Sequence, residues 1–257
     1  MKIRIPHLIL ILSLPWAFSQ TVCSQKLIRI DEGLKANSKV LRAKRKGVSS
    51  VGKYEFGPYR VISGQGGWEK STRKSPLFSD DSSIKSSTQK SFVFINDQAD
   101  TALVRIAVAE NIEIDAGSWF IRTFTSWSDA EVKHGEGIFE CTFSFSSDTA
   151  LWSLVAIYPV AAEVDGMYQM DDHTVFRGLL TNNQNQIEIS EIDINEEGKS
   201  PFLNPVLGYE FRSASGSLAA VQVLPANRWY VWIREDLDPD LKFVLASAAT
   251  AMLVRMF

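Results

Sequence analysis

Cysteine and histidine are scarce in this chain, and each shortage removes a class of explanation. Two cysteines in 257 residues, Cys23 and Cys141, exclude a disulfide framework. Cys141 falls in an alternating strand pattern and reads as a small buried hydrophobe rather than a reactive thiol. Of the histidines, only His134 and His173 lie beyond the N-terminal leader. A metal site needs three or four converging ligands. His134, read as part of a loop at 132–137, and His173, beside Asp171 and Asp172 between strands, do not make one. Asp193, Asn195, Glu197 and Gly198 imitate the opening of a calcium loop, but the twelfth position is Asn204, where a bidentate Glu belongs. That segment reads as an acidic turn. The G-x-S-x-G nucleophile elbow is also missing. The expectation is a non-enzymatic protein with no metal, no cofactor and no nucleic-acid partner.

Membrane-spanning apolar runs are lacking too. The N-terminus has basic Lys2 and Arg4, a short apolar run at 8–14, and small residues at Ala17 and Ser19, with Val22, Cys23 and Ser24 as a second cleavage candidate. This layout predicts a signal peptide at 1–24 and export to a secreted, periplasmic or envelope-associated location. A lipid-modified Cys23 is the minority alternative. At the other end, 241–257 reads LKFVLASAATAMLVRMF and has no polar face. Lys242 and Arg255 bound its uncharged stretch to about 18 Å of helix, against the roughly 30 Å of a bilayer core. Burial in protein is therefore expected, with Asp238 as cap, Pro239 in the first turn and Asp240 at the positive end of the dipole.

What the chain has in quantity is strand pattern and a split of charge. Phe139, Cys141, Phe143 and Phe145 alternate with Glu140, Thr142, Ser144 and Ser146, the period of a half-buried strand. Similar segments are read at 53–63, 91–96, 101–109, 118–124, 174–181, 186–193, 206–213, 217–223 and 228–234. Gly57-Pro58 is read as a kink within the first. Residues 151–158 are apolar on both faces and read as a deeper strand. Residues 64–90, rich in Gly, Ser and Lys, read as a long surface loop. About eleven strands before a slim, alanine-rich helix predict a mainly β fold, a closed antiparallel β-barrel of about eleven or twelve strands around a buried C-terminal helix. The expected organisation is a basic N-terminal arm at 25–52 and a barrel domain at 53–257 with its helix at 238–257.

The formal charge of -3 conceals an uneven distribution. Residues 25–90 hold 15 Lys/Arg and 6 Asp/Glu (+9), whereas 91–257 hold 10 and 24 (-14), so with Lys2 and Arg4 the total is restored. A basic arm can meet an anionic partner or the acidic body of its own chain. Arg42, Lys44, Arg45 and Lys46 form its densest cluster and are the candidate ligand-binding residues for an anionic lipid or membrane surface. Trp119 and Trp127, flanking Arg122 and Thr123, are the candidates for stacking on a sugar ring at a surface, with packing as their alternative, while Trp152, Trp229 and Trp232 sit in strands and read as packing. The alternatives are a structural or protein-interaction module and an integral outer-membrane barrel. Against the last, Arg255 spoils the lipid-facing alternation of a closing strand.

The final fifty residues add a resemblance. Gly208-Tyr209-Glu210-Phe211, Gly216 and Leu218-Ala219-Ala220-Val221-Gln222 resemble the hairpin before the closing element of tubby-like domains. Trp232-Ile233, Asp236, Asp238 and the apolar terminal helix resemble the rest of that element. The group includes LURP-one-related proteins and phospholipid scramblases. The resemblance implies a barrel of about twelve strands around a hydrophobic C-terminal helix.

Overall fold

The computed structural model describes residues 26–47, 51–67, 69–74, 82–115, 131–146, 150–164, 167–170, 175–182, 184–200, 206–226 and 228–255. Its elements in chain order are α1 (Glu32–Ala36), β1 (Ser38–Lys46), β2 (Lys53–Phe56), β3 (Tyr59–Gly66), β4 (Lys70–Lys74), β5 (Ser82–Ile95), β6 (Thr101–Asp115) and β7 (Glu131–Phe145). There follow β8 (Trp152–Pro159), β9 (Ala161–Val164), β10 (Met167–Met170), β11 (Arg177–Thr181), β12 (Gln186–Ile192), β13 (Gly208–Ser213), β14 (Gly216–Gln222), β15 (Trp229–Arg234) and α2 (Pro239–Arg255).

Twelve antiparallel strands close into a barrel in the order β3-β2-β1-β15-β14-β13-β12-β11-β8-β7-β6-β5. The ring shuts where β3 pairs with β5, from Arg60 opposite Ile95 to Gly66 opposite Lys90. Beyond Gly66, β4 continues along the same edge of β5, from Lys70 opposite Ser87 to Lys74 opposite Ser83. Strands β5, β6 and β7 are 14, 15 and 15 residues long, so their pairing runs on past the barrel as a two-sided sheet.

The interior follows from period-two patterning. Phe92 and Phe94 of β5, Val104 and Ile106 of β6, and Phe139 and Phe143 of β7 are buried, while outward neighbours such as Arg105 and Glu140 are exposed. Apolar residues thus point inward and charged ones outward, the inverse of a barrel embedded in lipid. Helix α2 fills the lumen. Phe243, Val244, Leu245, Met252, Leu253 and Val254 are at most 4 % exposed, and Ala246, Ala248, Ala249 and Ala251 are fully buried. Phe243 anchors one end, its ring 5.8 Å from Phe94, 5.5 Å from Phe145 and 6.3 Å from Tyr59. A helix apolar all round must sit in such a core. Its two buried hydroxyls are satisfied within the helix, Ser247 donating to the Phe243 carbonyl and Thr250 to that of Ala246, both at 2.8 Å. At its start the Asp238 carboxylate accepts from the Asp240 N–H at 2.9 Å.

Several expectations change. The segment assigned to a basic arm is part of the barrel: β1 pairs with β15 through Ser38–Ala43 and with β2 through Lys44–Lys46. Only Leu41, Ala43 and the stem of Arg45 face inward there, too little apolar mass to betray a strand. Ahead of it, Ile28, Ile30 and Leu34 pack outside the barrel on Tyr230 and Trp232, forming a second, smaller core. Gly57-Pro58 is the turn of the β2–β3 hairpin, not a kink, with Gly57 at φ +51°. Residues 64–90 are not a long loop but hold the end of β3, all of β4 and the first half of β5. Strand β8 buries one face only: Trp152, Leu154 and Ala156 point in, whereas Val155 is 40 % exposed. His134 lies on β7 opposite Glu113, not in a loop. Residues 1–25, 118–124, Trp119, Trp127 and His173 lie outside the described residues.

Candidate anion-docking face

The basic cluster of the first third is divided by strand geometry. Successive residues of β1 point to opposite sides, so Arg42, Lys44 and Lys46 stand exposed on the outer face while Arg45 turns inward. The four candidates therefore do not form one site. Adjacent strands supply the residues that the sequence reading missed. Glu55 of β2 lies opposite both Lys44 and Arg60, and Lys53 lies opposite Lys46. Five cations (Arg42, Lys44, Lys46, Lys53 and Arg60) thus share the outer face of β1, β2 and β3 with one carboxylate, Glu55. Lys46 pairs with Glu55 at 2.6 Å, and Arg60 reaches Asp97 at 3.6 Å on the margin. The hydrogen bond and charge of Lys46, then the charges of Lys44 and Arg60, hold the Glu55 carboxyl below its usual range. Two apolar side chains flank the face, Val40 at 49 % and Ile62 at 45 % exposure. Ile62 follows inward-facing Val61 and so points outward, at the register shift between Val61 and Ser63. The signal was present in the alternation of 38–46 and 53–62, once both are read as strands.

Arg45 serves the interior. Its side chain lies against Gly52, where an added Cβ would meet its Nε at 2.4 Å. Burial first, then the Arg45 charge, lowers the Lys90 pKa, so the two cations share the mouth of the barrel. That mouth is where α2 ends and its last carbonyls need donors. Lys90 donates to the Val254 carbonyl at 3.2 Å and Tyr54 to that of Leu253 at 3.3 Å. Arg255 closes the opening, with its guanidinium carbon 3.6 Å from the Tyr158 ring centre and a 3.1 Å hydrogen bond to the Tyr209 hydroxyl. Tyr158 donates to Glu110 at 2.8 Å. Burial pushes the Glu191 carboxyl up, against the pull of Arg255. Cations at a helix C-terminus complement its dipole, and Lys90 and Arg255 supply them here. The close approach depends on Gly137, where a Cβ would stand 2.2 Å from the Tyr158 ring.

Trp152, Trp229 and Trp232 are buried at 4 %, 4 % and 2 % exposure. Cys141 is likewise buried, and burial raises its thiol pKa well above the ordinary value. In the acidic turn, the Asn195 side chain accepts from the Glu197 and Lys199 amides, and Glu197 pairs with Lys26 and Lys199. Among the described residues no three His, Cys, Asp or Glu side chains cluster as metal ligands. Part of the basic first third meets the acidic remainder at the surface, through Lys26–Glu197, Lys35–Glu196 and Lys39–Glu235. The outer face of β1–β3 keeps its excess of cations. No family model, curated protein or solved structure matches this chain.

Proposed function

We propose that this is an exported, non-enzymatic barrel protein of tubby-like type that docks on an anionic surface, such as a layer of lipid headgroups, through the outer face of β1–β3. The observation that carries the reading is the set of five outward cations around a single carboxylate, flanked by exposed Val40 and Ile62. Each basic residue near a charged bilayer contributes about 1 kcal/mol. With Glu55 and Asp97 subtracted from the five cations, the net is roughly 3 kcal/mol, enough for reversible rather than permanent attachment. The apolar side chains add contact by partial insertion. A twelve-stranded barrel closed around a C-terminal helix supports the tubby-like assignment, and the leader at 1–24 supports export.

Sedimentation with vesicles tests the docking. The mature protein should pellet with anionic vesicles and stay in solution with neutral ones. Replacing Arg42, Lys44 and Lys46 together by Gln should weaken binding by roughly a hundredfold without lowering the melting temperature. Equal recovery on neutral and anionic vesicles defeats the proposal.

A further inference from the structure

The opposite rim of the barrel carries a cleft of different chemistry. It lies where α2 begins, between the start of β8 and the turn joining β11 to β12, and has a volume of about 770 Å³. Small-molecule sites range from about 300 to 1,000 Å³. Among the described residues lining it there is no Lys or Arg, but there are two carboxylates, Asp238 and Asp240. Leu151, 58 % exposed, and Leu241 provide an aliphatic surface beside them. The amides come from Asn182, Gln184 and Asn185.

The amide wall is held in place before any ligand arrives. The Asn182 side-chain oxygen accepts from the backbone N–H groups of Gln184 at 3.0 Å and Asn185 at 2.7 Å. The Thr181 hydroxyl lies within reach of two carbonyls, Asn182 at 2.9 Å and Asn185 at 2.8 Å, and its one proton serves either. The Asn182 N–H also donates to the Asn185 carbonyl at 3.1 Å. Asp238 is oriented by the Asp240 N–H. Among the described residues no hydrogen bond engages the Gln184 side-chain amide or the Asp240 carboxylate. A fixed wall loses little entropy on binding.

We infer that this cleft binds a neutral, hydroxyl-rich ligand, a short segment of saccharide chain. Carboxylates accept hydroxyl protons, amides both donate and accept, and the leucines take the C–H face of a sugar ring. The two carboxylates disfavour an anionic ligand, so the site is chemically distinct from the basic face of β1–β3.

Saturation-transfer NMR on the full mature protein tests this, with cellobiose and N,N′-diacetylchitobiose as probes and a uronic-acid disaccharide as the anionic control. Saturation should pass to a neutral disaccharide with a dissociation constant near 1 mM, roughly the strength of a few net hydrogen bonds. Gln184→Ala and Asp240→Ala should each weaken binding by about tenfold. Leu151→Lys, at an exposed position, should do the same without touching the core, which guards against misfolding in the other two. The uronic disaccharide should bind more weakly than its neutral counterpart. Absence of transfer to either neutral probe at about 20 mM overturns the inference. So does binding that survives all three substitutions.

Discussion

Removing α2 by a stop after Asp238 should abolish folding. Six large apolar side chains of the helix, Phe243, Val244, Leu245, Met252, Leu253 and Val254, are at most 4 % exposed. At about 1.5–3 kcal/mol for each buried side chain, they contribute roughly 9–18 kcal/mol before entropy. A whole domain is stable by only about 5–15 kcal/mol. The loss extends to the lining. Phe94, Phe145 and Tyr59 lose the Phe243 ring, and Tyr54 and Lys90 lose the carbonyls to which they donate. Left without a partner in a dry void, those two polar groups would add about 1–3 kcal/mol of unmet hydrogen bonding each. Urea unfolding followed by tryptophan fluorescence is a suitable assay, because Trp229 and Trp152 are buried in the barrel wall. The truncated chain should show no cooperative transition. A transition with the parent midpoint would refute the plugged barrel.

Four smaller perturbations test other contacts. Ala249→Leu, at a fully buried position, should destabilise by about 1–3 kcal/mol in the same assay through overpacking. Gly137→Val should lower the melting temperature by a comparable margin, because its side chain displaces the Tyr158 ring and with it Arg255. Gly57→Ala should cost about 1 kcal/mol, since φ is +51° and the new Cβ meets Leu41 at 3.2 Å. Burial raises the Tyr54 pKa from 10.0 to about 12, and it also raises that of Tyr59 and Tyr209. The folded chain then holds more protons than the unfolded one above pH 10, so stability is intact below that pH and falls as pH climbs toward 12. Tyr54→Phe should flatten that decline, by about 2–3 kcal/mol in the unfolding free energy measured with urea at the two pH values.

Much of the architecture was legible because two signals were strong. The alternation through Phe139–Phe145 and the paired segments at 206–213 and 217–223 marked strands that the structure reproduces as β7, β13 and β14. The absence of a polar face over 241–255 required a core wide enough to enclose a helix. What escaped notice had weak apolar contrast. The outer halves of β5 and β6 pair with each other beyond the barrel, where Ser83, Lys85 and Ser87 line one side and only the pair Ile84 and Ile112 packs toward the core on the other. Backbone pairing holds them, and no side-chain periodicity records it. Strand β1 escaped for a related reason, because Arg45 occupies an inward position at the mouth, where it can be read only once Lys90 and α2 are in place. The docking face followed the same logic. Its cations come from three strands, and their convergence shows only once 38–46 is read as a strand and 53–63 as a hairpin that sets Glu55 opposite Arg60.

The central claim is that one side of the barrel, β1–β3, meets an anionic surface. A polarity-sensitive fluorophore on Ile62→Cys, beside the basic face, can be compared with one on Leu179→Cys. Leu179 is 39 % exposed on β11, which lies halfway round the ring from β2. Cys141 is buried and does not compete for label. With anionic vesicles the Ile62 probe should shift to the blue and the Leu179 probe should not, and high salt should reverse the shift as the field contracts. A shift at Leu179 alone, equal shifts at both positions, or no shift at Ile62 would contradict the account.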